Sequence, residues 1–302
     1  MKHLADLNDP KIAPYYDDVP AGDMQRFRSF CRAFPYHQVS REGIEWPYLM
    51  NARKGETLLL LSGAMVIPDI SWHSIAHFGE SNHVIAPSYP PVKTMTELVD
   101  GIAVILQQEG IKKVHVLGGS YGGFVAQIFV RRYPRICHSL VLSHTFAPNP
   151  ADAGAVKKMV SGLKWLPQGA LKWTMGRKLL KLMPEDKNQA SLMLSHFKEL
   201  LHERLTRADI LGILWRMGDY YQNEFTPGDL AGWPGRVLLV MADDDPGTPE
   251  LVRERLIGLY PGASVKLFHG SGHATSVVRE DEYQAVIDEF LGNKSKKPGF
   301  RS

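Results

Sequence analysis

The sequence lacks the features that define several common classes of protein. It contains two cysteines among 302 residues, Cys31 and Cys137, separated by more than a hundred positions. Cysteines this far apart form neither a disulfide framework nor a zinc-binding spacing. The longest apolar run, near residues 57–68, has about a dozen residues, whereas a membrane-spanning helix needs about 20. The sequence therefore predicts neither a disulfide-stapled domain nor stable insertion into a membrane.

The first residues also lack the pattern of a secretory signal. An acidic residue occurs by position 6, and no apolar segment follows it. We therefore expect a cytoplasmic protein. The hydrophobic content of 44% and the charged content of 22% exclude a disordered chain. A length of 302 residues favours one large α/β domain with an insertion, or two domains.

An excess of one charge is also missing, because the formal net charge is only +3. Two segments nevertheless carry much more: residues 151–183 carry +6 and the tail 293–302 carries +4. The remainder of the chain therefore carries −7. Neither basic segment has the aromatic interleaving or glycine-rich spacing of a nucleic-acid module, so we predict no nucleic-acid partner. We interpret the tail as a solvated chain end.

Strand and helix patterns alternate along most of the chain. We predict strands over 57–61, 83–88, 114–117, 140–142, 237–241 and 265–268, and helices over 94–109, 121–133, 249–260 and 280–291. Strands separated by helical patterns of 10–15 residues indicate a mostly parallel sheet with helices on both faces. The first forty residues are predicted to be an irregular lead-in with one short helix.

Residues 147–232 have a different pattern, with several amphipathic helices and no strand. We interpret this region as a helical cap inserted into a core formed by residues 1–146 and 233–302. Its basic residues are predicted to lie mainly on a solvated helix face. Its aromatic residues are predicted mainly to pack the helices against one another and against the core.

The segment Gly118–Gly122 reads Gly-Gly-Ser-Tyr-Gly between an apolar strand and a helix. This G-x-S-x-G pattern in this context is typical of a nucleophile elbow, whose tight turn exposes the central serine. Glycines at both ends avoid steric clashes in the turn. Ser120 is therefore the predicted nucleophile.

A serine nucleophile needs a histidine base and an acid that orients it. His273 follows the last predicted strand in a glycine-containing loop, and we favour it over His269. Asp245 follows the strand 237–241 and is favoured over Asp243 and Asp244, which we expect to be solvated or to cap turns. The predicted triad is Ser120, Asp245 and His273.

The developing oxyanion requires two backbone N–H donors. We predict those of Tyr121, at the start of the elbow helix, and Ala64, after the first core strand. Further contacts with substrate are predicted for four side chains: Met65, His144, Trp165 and Trp173. No metal or organic cofactor is predicted. His73 and His77 have the i, i+4 spacing of a metal pair but no third ligand, and we assign them to structure.

These motifs together resemble the α/β-hydrolase superfamily over about 57–145 and 237–291, with 147–232 corresponding to its cap. Residues 85–90 and 117–127 are similar to maspardin and its bacterial relatives. The resemblance has departures: Ser62-Gly63 replaces the usual His-Gly of the oxyanion loop, and Ser88-Tyr89-Pro90-Pro91 replaces an Asp with a Gly-rich loop. The elbow also resembles that of proline iminopeptidases, whose His-Gly-Gly-Pro-Gly motif is absent.

We therefore expect a serine hydrolase that cleaves a small carboxylic ester, including lactones or thioesters, through an acyl-enzyme. Two alternatives remain open at this point. One is a non-catalytic binding or scaffold protein on the same fold, because a fold alone does not define a function. The other is an aminopeptidase of the proline-iminopeptidase type. The sequence carries no signal for the oligomeric state.

Overall fold

A single eight-stranded sheet is the centre of the molecule in the computed structural model, which describes residues 6–184 and 191–293. The strand order is β1-β2-β4-β3-β5-β6-β7-β8. Strand β2 is antiparallel to both of its neighbours, and the other pairs are parallel. The strands are β1 Tyr36–Arg41, β2 Ile44–Met50, β3 Thr57–Leu61, β4 His83–Pro87, β5 Val114–Gly119, β6 Cys137–Ser143, β7 Arg236–Ala242 and β8 Ser264–Phe268.

Helices connect most of the parallel strands. They are α1 Ala21–Ala33, α2 Trp72–Phe78, α3 Met95–Gln108, α4 Tyr121–Arg132, α5 Pro150–Leu163, α6 Gln168–Leu180, α7 Ser191–Glu199, α8 Arg207–Tyr220, α9 Glu250–Leu259, α10 Thr275–Val278 and α11 Glu280–Leu291. Short 3₁₀ segments occur at Ala13–Tyr16, Pro68–Ser71, Pro227–Leu230 and Gly272–Ala274, and a π-helical turn at Leu200–Arg204.

The sheet is covered by helices on both faces, as predicted. Successive residues of a strand point to opposite faces, and in β3 Leu59 and Leu61 pack in one core while Leu58 and Leu60 pack in the other. Helices α3, α4 and α9 contribute to the first core, and α1, α2 and α11 to the second. Burial on both faces explains the continuous apolar run of β3.

All six predicted core strands are confirmed, with end points that differ by a few residues. Helix α3 begins with a capping box, because Glu97 N–H donates to Thr94 Oγ1 at 3.1 Å and Thr94 N–H to Glu97 Oε2 at 2.9 Å. The prediction for the N-terminal region was incomplete, since β1 and β2 form an antiparallel hairpin there. Strand β1 lies at the sheet edge and alternates half-buried with exposed residues, so it has no apolar run.

The region between β6 and β7 contains α5–α8 and no strand among its described residues. Leu171, Ile210 and Leu211 form a small apolar cluster within these inserted helices. Phe197, Leu200 and Ile213 pack instead into the core on one face of the sheet. Within the described parts of the chain, no helix is long and apolar enough to cross a membrane. The basic tail lies outside the described residues, apart from its first residue.

Candidate active site

Ser120 lies in the sharp turn between β5 and α4. Its backbone has φ 52° and ψ −121°, in the region of positive φ that residues with side chains rarely adopt. A Cβ on Gly118 would lie 2.4 Å from the Gly122 carbonyl oxygen, and one on Gly122 would lie 2.0 Å from the Leu61 carbonyl oxygen. The predicted glycine requirement is therefore confirmed at both positions, and the second arises from close approach of β3.

Asp245 and His273 are brought together by the loops after β7 and β8. His273 Nδ1 lies 3.0 Å from Asp245 Oδ1 and 2.9 Å from Oδ2. His269 does not reach this position: its side chain is 76% exposed, and its Nδ1 pairs with Asp243 at 2.7 Å. Of the two histidines considered, the structure thus places His273 beside the predicted acid and in the same pocket as Ser120.

The other two acids after β7 hold the histidine loop. Asp244 Oδ1 accepts the backbone N–H groups of Ser271 at 3.1 Å and Gly272 at 2.9 Å. Asp243 Oδ1 accepts the N–H of Gly270 at 3.3 Å. Asp243 and Asp244 therefore cap turns, as predicted, and these turns belong to the loop that carries His273.

The Asp245 carboxylate is buried and receives several hydrogen bonds. Gly247 N–H donates to Oδ1 at 2.7 Å and the Thr248 hydroxyl to Oδ2 at 2.9 Å. Burial alone would raise the pKa of Asp245, but the bonds from His144 and His273 outweigh it and hold this pKa well below its usual range. Asp245 is therefore an anion that can stabilise a positively charged His273.

His144 is a second histidine on the same carboxylate. It follows β6 with a positive φ of 48°, and its Nδ1 lies 3.1 Å from Asp245 Oδ2. Burial lowers the pKa of His144, and the neighbouring His273 lowers it further. Its Nε2 is buried and has no hydrogen-bond partner among the described residues. We predicted a contact with substrate, and the pocket lining is compatible with one, but the bond to Asp245 was not foreseen.

The loop after β3 lies against the nucleophile. A Cβ on Gly63 would lie 3.8 Å from the Ser120 Cβ. Val66 N–H donates to the Gly63 carbonyl at 3.1 Å, which makes the loop a tight turn around Ala64 and Met65. On the other side of Ser120, Tyr121 is the first residue of α4, where a backbone N–H has no partner within the helix. Both predicted oxyanion donors thus belong to segments that flank Ser120.

Ser120, His273, His144 and the Gly63 loop line one pocket with a cavity volume of about 220 Å³. The inserted helices and their connections close its other side. The residues they contribute are Leu179, Leu182, Met183, Met193 and Phe197. Periodicity places these residues on apolar helix faces but does not show which face meets the sheet.

The predicted contacts at Trp165 and Trp173 are wrong. These two side chains are 80% and 63% exposed and do not line the pocket. Trp165 lies in the connection between α5 and α6, and Trp173 lies on α6, which packs inward through Leu171 and Leu179 instead.

A buried arginine joins the inserted helices to the elbow, and the sequence analysis did not identify it. Arg216 on α8 is fully buried, and its Nε donates to the Tyr121 hydroxyl at 2.7 Å. Its Nη1 donates to the carbonyls of Pro90 at 2.7 Å and Val92 at 2.9 Å. The sequence signal for its burial is that Arg216 lies among the apolar residues of α8. This signal is weak, because exposed arginines also occur between apolar residues of a helix.

The histidines assigned to structure have structural partners. His73 Nδ1 lies 3.1 Å from Glu280, and His77 Nε2 lies 2.7 Å from Asp288, which joins α2 to α11. In the described residues, the group whose ligand atoms come close enough to hold a metal is His144, Asp245 and His273, within 4.8 Å of one another. The Nδ1 atoms of His144 and His273 are both already hydrogen-bonded to Asp245.

Comparison with known proteins identifies the family. The model of the Alpha/beta hydrolase family matches residues 40–289. The chain belongs to this family. The mostly parallel sheet with helices on both faces is the fold that the sequence resemblance predicted for this α/β hydrolase.

Three relatives of this α/β hydrolase illustrate the range of its similarities. Proline iminopeptidase of Lactobacillus delbrueckii subsp. bulgaricus is 28% identical over 62% of this chain and 68% of its own. Maspardin of Danio rerio is 38% identical over 24% of each chain, which confirms the predicted resemblance for that part. The esterase structure from Thermogutta terrifontis has a TM-score of 0.70 at 18% identity, covering 85% of this chain and 98% of that one, and shows the fold.

Proposed function

We propose that this α/β hydrolase is a serine hydrolase of small carboxylic esters, with Ser120, His273 and Asp245 as its triad. The observation that supports this most strongly is the shared pocket of Ser120, the Asp245-bound His273 and the Gly63 loop. A strained serine, a histidine with an oriented ring and a flanking turn are the parts that acyl transfer requires.

The proposed mechanism follows from the atoms that are engaged. His273 Nδ1 bonds to Asp245, so Nε2 is the nitrogen that accepts the proton of Ser120 as its Oγ attacks the ester carbonyl. The N–H groups of Tyr121 and Ala64 stabilise the oxyanion. The protonated His273 then gives its proton to the leaving alcohol, and a water molecule deprotonated by His273 releases the acid from the acyl-enzyme.

The pocket favours a neutral acyl group. Its lining contains leucine, methionine and phenylalanine side chains, and none of the described lining residues is an acid, a lysine or an arginine. A free amino group, which an aminopeptidase substrate carries, would find no carboxylate partner among these described lining residues. The cavity of about 220 Å³ suits a short acyl chain or a compact lactone. We further propose that the inserted helices 147–232 are a cap that sets this size.

The direct test compares two chromogenic substrates, a short p-nitrophenyl ester and proline p-nitroanilide. We expect hydrolysis of the ester, and Ser120→Ala should lower kcat by about 10³-fold or more while the urea unfolding curve is retained. Ester turnover near the wild-type rate in Ser120→Ala would contradict the proposal. Preferred cleavage of the anilide would instead support the aminopeptidase.

The scaffold alternative is tested without knowing the substrate. A fluorophosphonate probe reacts with an activated serine, and mass spectrometry locates the modified residue. We expect rapid labelling at Ser120 that is lost in His273→Ala. Folded protein that remains unlabelled would support a binding role.

A further inference from the structure

The inserted helices present an unusual outer surface. Trp165 is 80% exposed, Trp173 is 63% exposed and Leu180 is 45% exposed. Large apolar residues that are singly exposed are common, but two indoles within nine positions of one another are not explained by that tendency. Side chains exposed to this extent stand out from the surface. We call these three residues the tryptophan face.

Helix α6 has both buried and exposed apolar residues. Leu171 and Gly176 are buried, and Leu179 lines the pocket. Trp173 and Leu180 are seven positions apart and therefore share a helix face, which points to solvent. Since the inward side already supplies the packing of α6, the tryptophan face is not needed to fold the helix.

A cation lies over each indole ring of the tryptophan face. The Lys164 ammonium lies 5.3 Å from the centre of the Trp165 ring, and the Arg177 guanidinium lies 5.0 Å from that of Trp173. The Lys178 ammonium lies 3.8 Å from the Met159 sulfur, so this cation of α6 lies against α5. Residues 150–184 contain seven lysines and arginines and one acid, Asp152.

We propose that the tryptophan face and its surrounding cations adsorb to an anionic lipid surface. Indole rings are favoured at the boundary between lipid chains and headgroups, and clustered lysines and arginines are attracted to anionic headgroups. Two copies of this face would repel each other, because both are strongly basic. The adsorption is peripheral, with the body of the protein remaining in water.

Adsorption would bring the proposed site close to the lipid. Leu179 lines the pocket and its neighbour Leu180 belongs to the tryptophan face, so the same helix contacts the pocket and carries the adsorbing surface. The separation is about one helix diameter, roughly 10 Å. The adsorption itself does not depend on the proposed hydrolysis, and the test below measures binding alone.

The test is cosedimentation of the full chain with vesicles of phosphatidylcholine alone or with phosphatidylglycerol added. We expect binding that requires phosphatidylglycerol and weakens as salt is raised, because exposed charges are screened. Tryptophan emission should shift to shorter wavelength on binding. Trp165→Ala/Trp173→Ala should abolish this shift and lower the partition coefficient about tenfold or more, because both indoles leave water.

Charge is tested separately from the indoles. Lys157→Glu/Lys158→Glu should lower partitioning about tenfold or more at low salt. The matched controls are Lys54→Glu/Lys112→Glu, outside the inserted helices, and Leu251→Ala, a 79% exposed leucine on α9. Both controls should bind as the wild type does.

Three results would overturn the proposal. The first is no binding of the wild type to phosphatidylglycerol vesicles at low salt. The second is equal loss in the controls and in the variants of the basic helices. The third is that the wild type forms an oligomer in solution and does not bind vesicles, while the double tryptophan variant is monomeric. That result would assign the tryptophan face to self-association.

Discussion

The sheet and the inserted helices form opposite sides of one pocket with different kinds of residue. The sheet side presents Ser120, His144 and His273 from loops that follow strands, each held by hydrogen bonds or by turn geometry. The helical side presents Leu179 and Phe197 with their apolar neighbours. The sheet side is thus built for a defined reaction geometry, and the helical side provides shape. Substitutions on the two sides should therefore produce different kinds of effect.

The largest expected effect is the loss of the acid on the sheet side. Asp245→Asn removes the anion that orients His273, and should lower kcat about 10³–10⁴-fold. Steady-state kinetics with the short ester measures it. Asp243→Asn is the matched control, because that residue binds only the exposed end of the histidine loop, and its kcat should change less than about tenfold. Equal losses in the two variants would contradict the assignment of Asp245.

The next largest effect is on stability. In Gly122→Ala the new methyl group meets the Leu61 backbone at 2.0 Å, and backbone atoms cannot move aside cheaply. We expect the free energy of unfolding to fall by about 3 kcal/mol or more, measured by urea denaturation. Gly119→Ala serves as the control, since no atom lies within 4 Å of its added Cβ. A Gly122→Ala protein as stable as this control would be inconsistent with the elbow geometry.

The helical side should change selectivity rather than the chemical step. Leu179→Ala enlarges the pocket, and the ratio of kcat/KM for an octanoate over an acetate ester should rise about tenfold. Its neighbour provides the control, because Leu180 is 45% exposed and does not line the pocket. Leu180→Ala should leave the ratio unchanged. A similar change in both variants would show that the pocket wall is not where we describe it.

The smallest effect concerns His144. Because burial lowers its pKa below the ordinary value of 6.5, the unfolded chain takes up a proton that the folded chain excludes. Stability is therefore fully present above about pH 6.5 and decreases as the pH falls toward the folded pKa. In His144→Asn this decrease should be shallower, by at most about 1.4 kcal/mol per pH unit.

Urea denaturation between pH 5 and 8 measures the difference. The exposed His269 provides the control substitution, His269→Asn. His83 and His115 are also buried and have lowered pKa values. Their contribution to the pH dependence of stability is the same in the wild type and in both variants. Identical pH dependence in wild type and His144→Asn would disprove the role of His144.

Most of the sheet could be predicted because its strands are buried on both faces and appear as continuous apolar runs. The residues proposed for catalysis could be predicted because the chain order of the loops matches that of a recognisable family. The hairpin β1–β2 was missed because the edge strand β1 has no apolar run and because Glu45 and Pro47 interrupt the apolar residues of β2. The pocket wall was mispredicted because helix periodicity shows a face without its direction, so Trp173 was placed inward and Leu179 was not considered.

The bond between Arg216 and Tyr121 bears on how this protein could be re-engineered. Exchanging residues 147–232 for the corresponding segment of a relative would remove Arg216, which is the donor to the Tyr121 hydroxyl and to the Val92 carbonyl. Buried groups without partners destabilise a fold. A working chimaera would therefore require an arginine, or another donor, at the equivalent helix position, so the inserted segment must match both the elbow and the loop after β4.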